Sequence, residues 1–457
     1  MSLQPTIYIG PLIHHKSLTE LEILPTATIY VDTHGKIAHI SSDPTSPPPA
    51  GFSSARTIHA PDPSTFFFPG FIDTHTHAPQ FPNAGLFGAT TLLSWLETYT
   101  FPTESRFSSL PFASQVYSRV VRRLLSHGTT TAAYYATVHV PATNLLAEIC
   151  HAAGQRAFVG RVCMDREGFV PGFYRDESAA QGVVDSRASI EFCRALDPEG
   201  ELVQAIVTPR FAPACSEEAL RGLGELVRET GVRVQTHVSE NRDEVKLVGK
   251  LFPEDRDYVG VYDRFGLLGE RTVLAHAIWL SEEEKRLVKE RKAKLSHCPC
   301  SNTCLTSGAM KVKDLLAEGI DVGLGTDVSG GYSGSMLEEV RQAILVSRHV
   351  AMVDGEKAKL SFEEALWLAT KGGAKVLGIE DKVGSFQVGM DWDAQMISLG
   401  QVDEDGTAGV TENLVDVYGE EKWIDRVAKW VYAGDDRNTS AVWVKGRLVH
   451  KRPDMSL

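Results

Sequence analysis

Eight short apolar segments, each followed by a stretch of helical pattern, constrain the fold of this 457-residue chain more than anything else in it. They run over 66–73, 129–135, 156–162, 202–208, 232–237, 272–276, 293–297 and 321–326. Strands that read as continuous apolar runs are buried on both faces, and helical crossovers make neighbouring strands parallel. The intervening helices carry start signals. Ser281 with Glu284 and Ser361 with Glu364 form S-x-x-E capping boxes, and Ser216 is an N-cap for 217–229 with Gly231 beyond its end. The helix opened by Ser361 is predicted to stop near Gly372 and Gly373. Eight such alternations predict an α/β chain folded as a (β/α)8 barrel of the TIM type. A doubly wound open sheet is the alternative, but no G-x-G-x-x-G follows the first strand.

Both chain ends read differently. Strands are predicted at 7–9, 28–31 and 37–40, with a turn between the last two, then a Pro- and Ser-rich connection over 41–64. β character returns at 391–397 and at 439–449, where Gly446 fits a hairpin. Residues 1–68 and 383–457 are therefore expected to build one small composite β-sandwich domain, and residues 69–382 the barrel.

The net charge of -13, with no stripe of Lys and Arg, argues against nucleic acid as a partner. No run of 18 apolar residues exists, so a membrane span is not expected. Seven cysteines are an odd number, and residues 1–10 lack the basic-then-apolar pattern of a secretory signal. Free thiols and a cytoplasmic location follow as expectations.

Active sites of such barrels gather at the carboxyl ends of the strands. The first strand ends in His75-Thr76-His77, and residues i and i+2 of a strand point the same way, so both imidazoles can reach one ion. The fourth strand leads to Arg210 and Phe211, the fifth to His237 and Glu240, the sixth to His276, the seventh to His297 and the eighth to Asp327. Fifteen scattered histidines would rarely place five of their number at strand ends in this way. His75, His77, His237 and Asp327 make an N3O donor set that suits Zn²⁺ with water completing the sphere, and Fe²⁺ is not excluded by donor type. A zinc-bound water ionises near pH ~7 instead of ~15.7, which supplies hydroxide at neutral pH. For Asp327 the competing reading is a helix N-cap after a Gly-rich turn. Arg210 stands where two-metal barrels carry a bridging lysine, so one ion per subunit is expected.

Glu240 follows His237 closely enough to share a water with the ion and shuttle its proton. It could equally be a solvent-facing residue of the acidic helix start that includes Asp243 and Glu244. His276 is either a fifth ligand or a hydrogen-bonding partner beside the ion, the second being favoured. His297 could be a core histidine that supports the wall. Cys298, Cys300 and Cys304 lack paired C-x-x-C spacing and read as packed thiols.

Together, residues 69–77, 235–237, 274–276, 296–299 and 323–327 resemble the amidohydrolase superfamily. Within it, His77-Ala78-Pro79-Gln80, 208–212, 237–244 and 326–332 are most similar to the eukaryotic type of guanine deaminase, as are 93–96, 99–102 and 434–438. The resemblance implies zinc on His75, His77, His237 and Asp327, guanine contacts from Gln80, Arg210, Phe211 and Glu240, and a cytosolic homodimer. The implied activity is zinc-dependent hydrolysis of guanine to xanthine and ammonia, a step of purine catabolism or salvage. A related amidohydrolase of another purine or of a triazine is the alternative, and a non-catalytic scaffold on the same barrel is the rival outside enzymology. Cys300 and Phe81-Pro82-Asn83 depart from the family pattern.

Overall fold

A computed structural model describes residues 3–43, 45–406, 413–453 and 455. Eight parallel strands form the expected barrel sheet: β1 (Phe71–His77), β2 (Thr129–Tyr135), β3 (Arg156–Gly160), β4 (Val203–Pro209), β5 (Arg233–Val238), β6 (Thr272–His276), β7 (Lys294–His297) and β8 (Val322–Leu324). Their hydrogen-bonded order follows the sequence, and the two-residue Val162–Cys163 pairs with the end of β4. Almost every strand residue is buried, which is why the strands read as apolar runs instead of alternating ones.

The first apolar segment is two strands, not one. Thr65–Pro69 pairs antiparallel with Ala394–Ser398, and β1 begins at Phe71. Gly70 makes the break. A Cβ there would sit 2.2 Å from the Thr130 side chain, so only glycine lets the chain pass from one sheet to the other at this point. The expected stop at Gly372 and Gly373 also differs. The chain runs helically from Phe362 to Leu377 through a wide turn over Leu368–Gly372 and ends at Gly378, where φ is +60°. Gly373 is used for close packing, since its Cβ would lie 3.0 Å from Ile72 of β1. The capping boxes at Ser281 and Ser361 are both formed, and Ser216 accepts from the Ala219 N–H.

The terminal segments build a single eight-stranded sheet. Its path runs Arg447–Lys451, Thr439–Val444, Ala394–Ser398, Thr65–Pro69, Thr6–His15, Leu21–Val31 and Ile37–Ser41, with Arg56–His59 beside Thr6–His15. N- and C-terminal strands are thus interleaved. Arg156, at the start of β3, joins this sheet to the barrel: Nε donates to Asp393 (2.7 Å) and Nη2 to Asp391 (2.7 Å), all three side chains being buried. Removing one partner of a buried pair strands the other charge. Arg156→Met is therefore expected to lower unfolding stability by about 3–5 kcal/mol, read as a fall in the denaturant midpoint at constant metal content.

All seven cysteines are unpaired, six of them buried and Cys304 partly so. Among the described residues, no helix is long and apolar enough to cross a membrane.

Candidate active site

The carboxyl ends of β1 and β8 are laced together by Asp73. Its buried carboxylate accepts the N–H groups of His75 (3.1 Å) and Thr326 (3.0 Å) and the Thr326 hydroxyl (2.6 Å). The Asp327 N–H donates to the His75 carbonyl at 2.8 Å, and the Thr74 hydroxyl to the Leu324 carbonyl at 2.8 Å. First and last strands are thereby held edge to edge, with His75 next to Asp327. Ser239, His276, Ala277 and Asp327 have φ between +43° and +70°. Left-handed backbone in residues other than glycine costs on the order of 1 kcal/mol each and collects at functional sites, where packing imposes it.

Four donors converge at this rim. Asp327 Oδ1 lies 3.1 Å from His75 Nε2 and 3.2 Å from His77 Nε2, and His77 Nε2 is 3.1 Å from His237 Nε2. One ligand atom from each of the four residues falls within 4.8 Å of every other. The tautomer of His237 is set from behind: its Nδ1–H donates to the Arg210 carbonyl at 2.5 Å, which turns the Nε2 lone pair inward. Burial depresses the pKa of all three imidazoles, His77 to about 4. Burial opposes ionisation of Asp327, but the imidazoles of His75 and His77 outweigh it and hold the carboxyl below its usual range. Two facing imidazole nitrogens, a carboxylate, and the buried His75 Nε2 without a hydrogen-bond partner form a set that a divalent cation satisfies. The second cluster, His75, His276 and Cys298, shares a histidine with the first, and burial keeps the Cys298 thiol protonated.

A cavity opens over these donors. His77, His237, His276, Glu240 and Asp327 form its polar floor; Leu92, Trp95, Leu96, Phe211 and Leu305 line it with apolar surface; Gln80 and Arg210 complete the wall. Glu240 is buried in this cavity and is not part of a solvated acidic face, a role left to the exposed Asp243. Its placement follows from a capping box not read in the sequence: Asn241 caps helix Arg242–Leu251, and Glu244 accepts the Glu240 N–H at 2.9 Å. The Glu240 carboxylate accepts from Ser307 (3.0 Å) and lies 3.4 Å from His276 Nε2. Burial, reinforced by the charge of Asp327, pushes its pKa up to about 8.

The sequence profile of the amidohydrolase family matches residues 66–449. The chain belongs to the amidohydrolase family. A probable guanine deaminase of Schizosaccharomyces pombe is 46% identical over 97% of this chain and 83% of its own length. A guanine deaminase of Dictyostelium discoideum is 42% identical over 97% and 98%. The crystal structure of a guanine deaminase from C. acetobutylicum with guanine bound in its active site superposes with a TM-score of 0.87, at 34% identity, over 98% of this chain and all of that one.

In this amidohydrolase nine of the residues singled out from the sequence lie at this cavity or in the donor cluster beneath it. His276 is 3.7 Å from Asp327, and its Nδ1–H donates to Asn302 Oδ1 at 2.8 Å. His297 is outside the cavity, and burial lowers its pKa to about 3. Cys298 and Cys300 are buried thiols. Phe81-Pro82-Asn83 ends a short 3-10 turn in which Asn83 donates to the Tyr99 carbonyl and to the Thr103 hydroxyl.

One residue of the site escaped the sequence reading. Glu104, on helix Phe101–Ser105, is fully buried and accepts a fork from Arg210: Nη1 to Oε2 at 2.7 Å and Nη2 to Oε1 at 3.1 Å. Gln80 Nε2 (2.8 Å) and the Tyr174 hydroxyl (2.7 Å) donate to the same carboxylate. Burial raises the pKa of Glu104, but Arg210 more than reverses that, so the carboxyl is ionised. No motif marks this glutamate, which comes from a segment between β1 and β2.

Proposed function

We infer that this protein is a guanine deaminase, hydrolysing guanine to xanthine and ammonia. The observation that carries the reading is a cavity with an arginine and a glutamine on its wall and a glutamate beside a His3Asp donor set on its floor. Near full-length similarity to proteins named guanine deaminases supports it.

His75, His77, His237 and Asp327 hold a single divalent cation, which we take to be zinc. A cation of this kind supplies a water acidic enough to ionise near neutrality. Glu240 accepts the proton of the attacking water and delivers it to ring N3, and its burial, which raises its pKa, favours holding the proton between the two steps. Attack at C2 gives a tetrahedral carbon. Asp327 relays the second proton to the amine, which leaves as ammonia, and the C2 carbonyl of xanthine forms. His276 steadies the oxygen that develops charge; with Nδ1–H given to Asn302, its Nε2 donates only when the ring carries both protons.

Arg210 and Gln80 face the O6 and N7 acceptors of guanine, and Phe211 packs against the ring. An Arg fork on such an edge contributes roughly 1–3 kcal/mol of base discrimination. Adenine presents an amino group there and leaves buried donors unpaired, a mismatch that costs up to ~10⁵ in kcat/KM. Arg210→Ala is expected to lower kcat/KM for guanine at least about tenfold, measured by ammonia release. We also propose a cytosolic homodimer acting in purine breakdown or salvage, consistent with seven unpaired thiols and the acidic net charge.

The deciding experiment measures ammonia released from guanine, adenine, cytosine and 8-oxoguanine, with metal analysis of the same sample. Rapid turnover of guanine with about one zinc per chain is expected. A chain that carries zinc and turns over none of these bases overturns the reading.

A further inference from the structure

The guanidinium of Arg210 and the amide of Gln80 share one anchor. Four hydrogen bonds end on the two oxygens of Glu104, and three of them come from these two wall residues. The fourth comes from the Tyr174 hydroxyl, at 2.7 Å. At the other end of the Gln80 amide, Oε1 accepts the Ser329 N–H at 3.2 Å. An amide whose nitrogen faces a carboxylate and whose oxygen faces an N–H has only one satisfied orientation. Its carbonyl is therefore held on Ser329, and the N–H not given to Glu104 is the polar group it has left to offer. Arg210 spends one N–H from each Nη on Glu104 and keeps three others.

We propose that Glu104 is a positioning residue that selects the purine, by fixing Arg210 and Gln80 so that this wall of the cavity presents N–H donors only. A donor-only wall accepts a ring edge made of carbonyl and imine acceptors, such as O6 and N7 of guanine. It rejects a ring that carries an amino group at C6. The inference rests on the guanine deaminase reading and adds the residue behind the recognition. Glu104 touches no reacting atom; it acts through its two neighbours. It also ties helix Phe101–Ser105 to the end of β4, so the segment that supplies the apolar Leu92, Trp95 and Leu96 is registered against the same arginine.

The test compares the native chain with Glu104→Gln, Arg210→Ala and the double variant, on guanine and on 2,6-diaminopurine. The second substrate keeps the C2 amine but carries a donor at C6. Glu104→Gln is expected to lower kcat/KM for guanine by roughly tenfold, mainly through KM, because it loosens recognition and not the chemistry. The preference for guanine over 2,6-diaminopurine should narrow by a similar factor, since a freed Gln80 amide can turn its oxygen to the C6 amine. In the Arg210→Ala background the same substitution should cost less than it does alone, because only the part that acts through Gln80 remains. Equal losses on both substrates, or losses that multiply in the double variant, overturn the proposal. If Glu104→Gln does not fold, Tyr174→Phe removes one bond to the carboxylate and leaves every charge in place. It should raise KM for guanine at least twofold at unchanged kcat, and an unchanged KM counts against the proposal. A native chain inactive on guanine overturns the functional reading itself, an outcome distinct from all of these.

Discussion

Glu240→Gln is expected to lower kcat on guanine by about 10²–10⁴-fold, the range associated with a lost proton-transfer group. The substitution keeps the shape of the side chain and an oxygen that can accept from Ser307 at the position now 3.0 Å away. It removes only the ability to take and return a proton. Glu240 is not one of the four convergent donors, so metal content should stay at the native value. KM should change little, because the binding contacts assigned to Arg210 and Gln80 lie on the cavity wall. The native enzyme should also lose activity as the pH falls below the pKa of Glu240, since a protonated carboxyl cannot accept from water. The variant should lack that limb of the profile. Near-native kcat in the variant would show that another group moves the proton.

The second large effect concerns the donors themselves. His75→Ala is expected to reduce bound metal to a small fraction of one per chain and kcat by ~10³-fold or more, since a cation of this kind supplies several kcal/mol of transition-state stabilisation. Treatment of the native chain with a chelator should reproduce that loss, and added zinc should reverse it in the native chain alone. Stability should fall in parallel. A ligand bound only by the folded state contributes about 4 kcal/mol at a thousandfold excess over its Kd. A chain that keeps full activity at vanishing metal content would overturn the assignment of His75, His77, His237 and Asp327.

The barrel and the donor cluster were legible because both obey local rules. β2 and β6 occupy the predicted residues, and His75 and His77 share a side because a strand has a period of two. Their convergence with His237 and Asp327 follows from parallel strands ending at one rim. Contacts set by packing were not legible. Gly70 and Gly373 look like ordinary turn and stop signals, yet one divides two sheets and the other lets a helix lie on Ile72. Glu240 could be weighed only evenly against a solvated position, because the Asn241–Glu244 capping box that turns it inward was not read. Glu104 lies 106 residues from its arginine, in a segment with no strand-end position or motif to single it out. Pairings of that separation leave no mark on a single sequence.

The lacing of Asp73 to Thr326 has a consequence for how the enzyme acquires its ion. Two of the proposed ligands, His75 and Asp327, stand on opposite sides of the seam where the cylinder shuts. A nascent chain that has emerged only through its seventh strand owns three imidazoles but no carboxylate to complete the set. A cation held by these four donors would therefore be gripped by the full set only after the last strand has docked, and its residues on both sides of the joint would then be tied together. Metal loading should then report a finished barrel, and an emptied enzyme should begin to open along this edge.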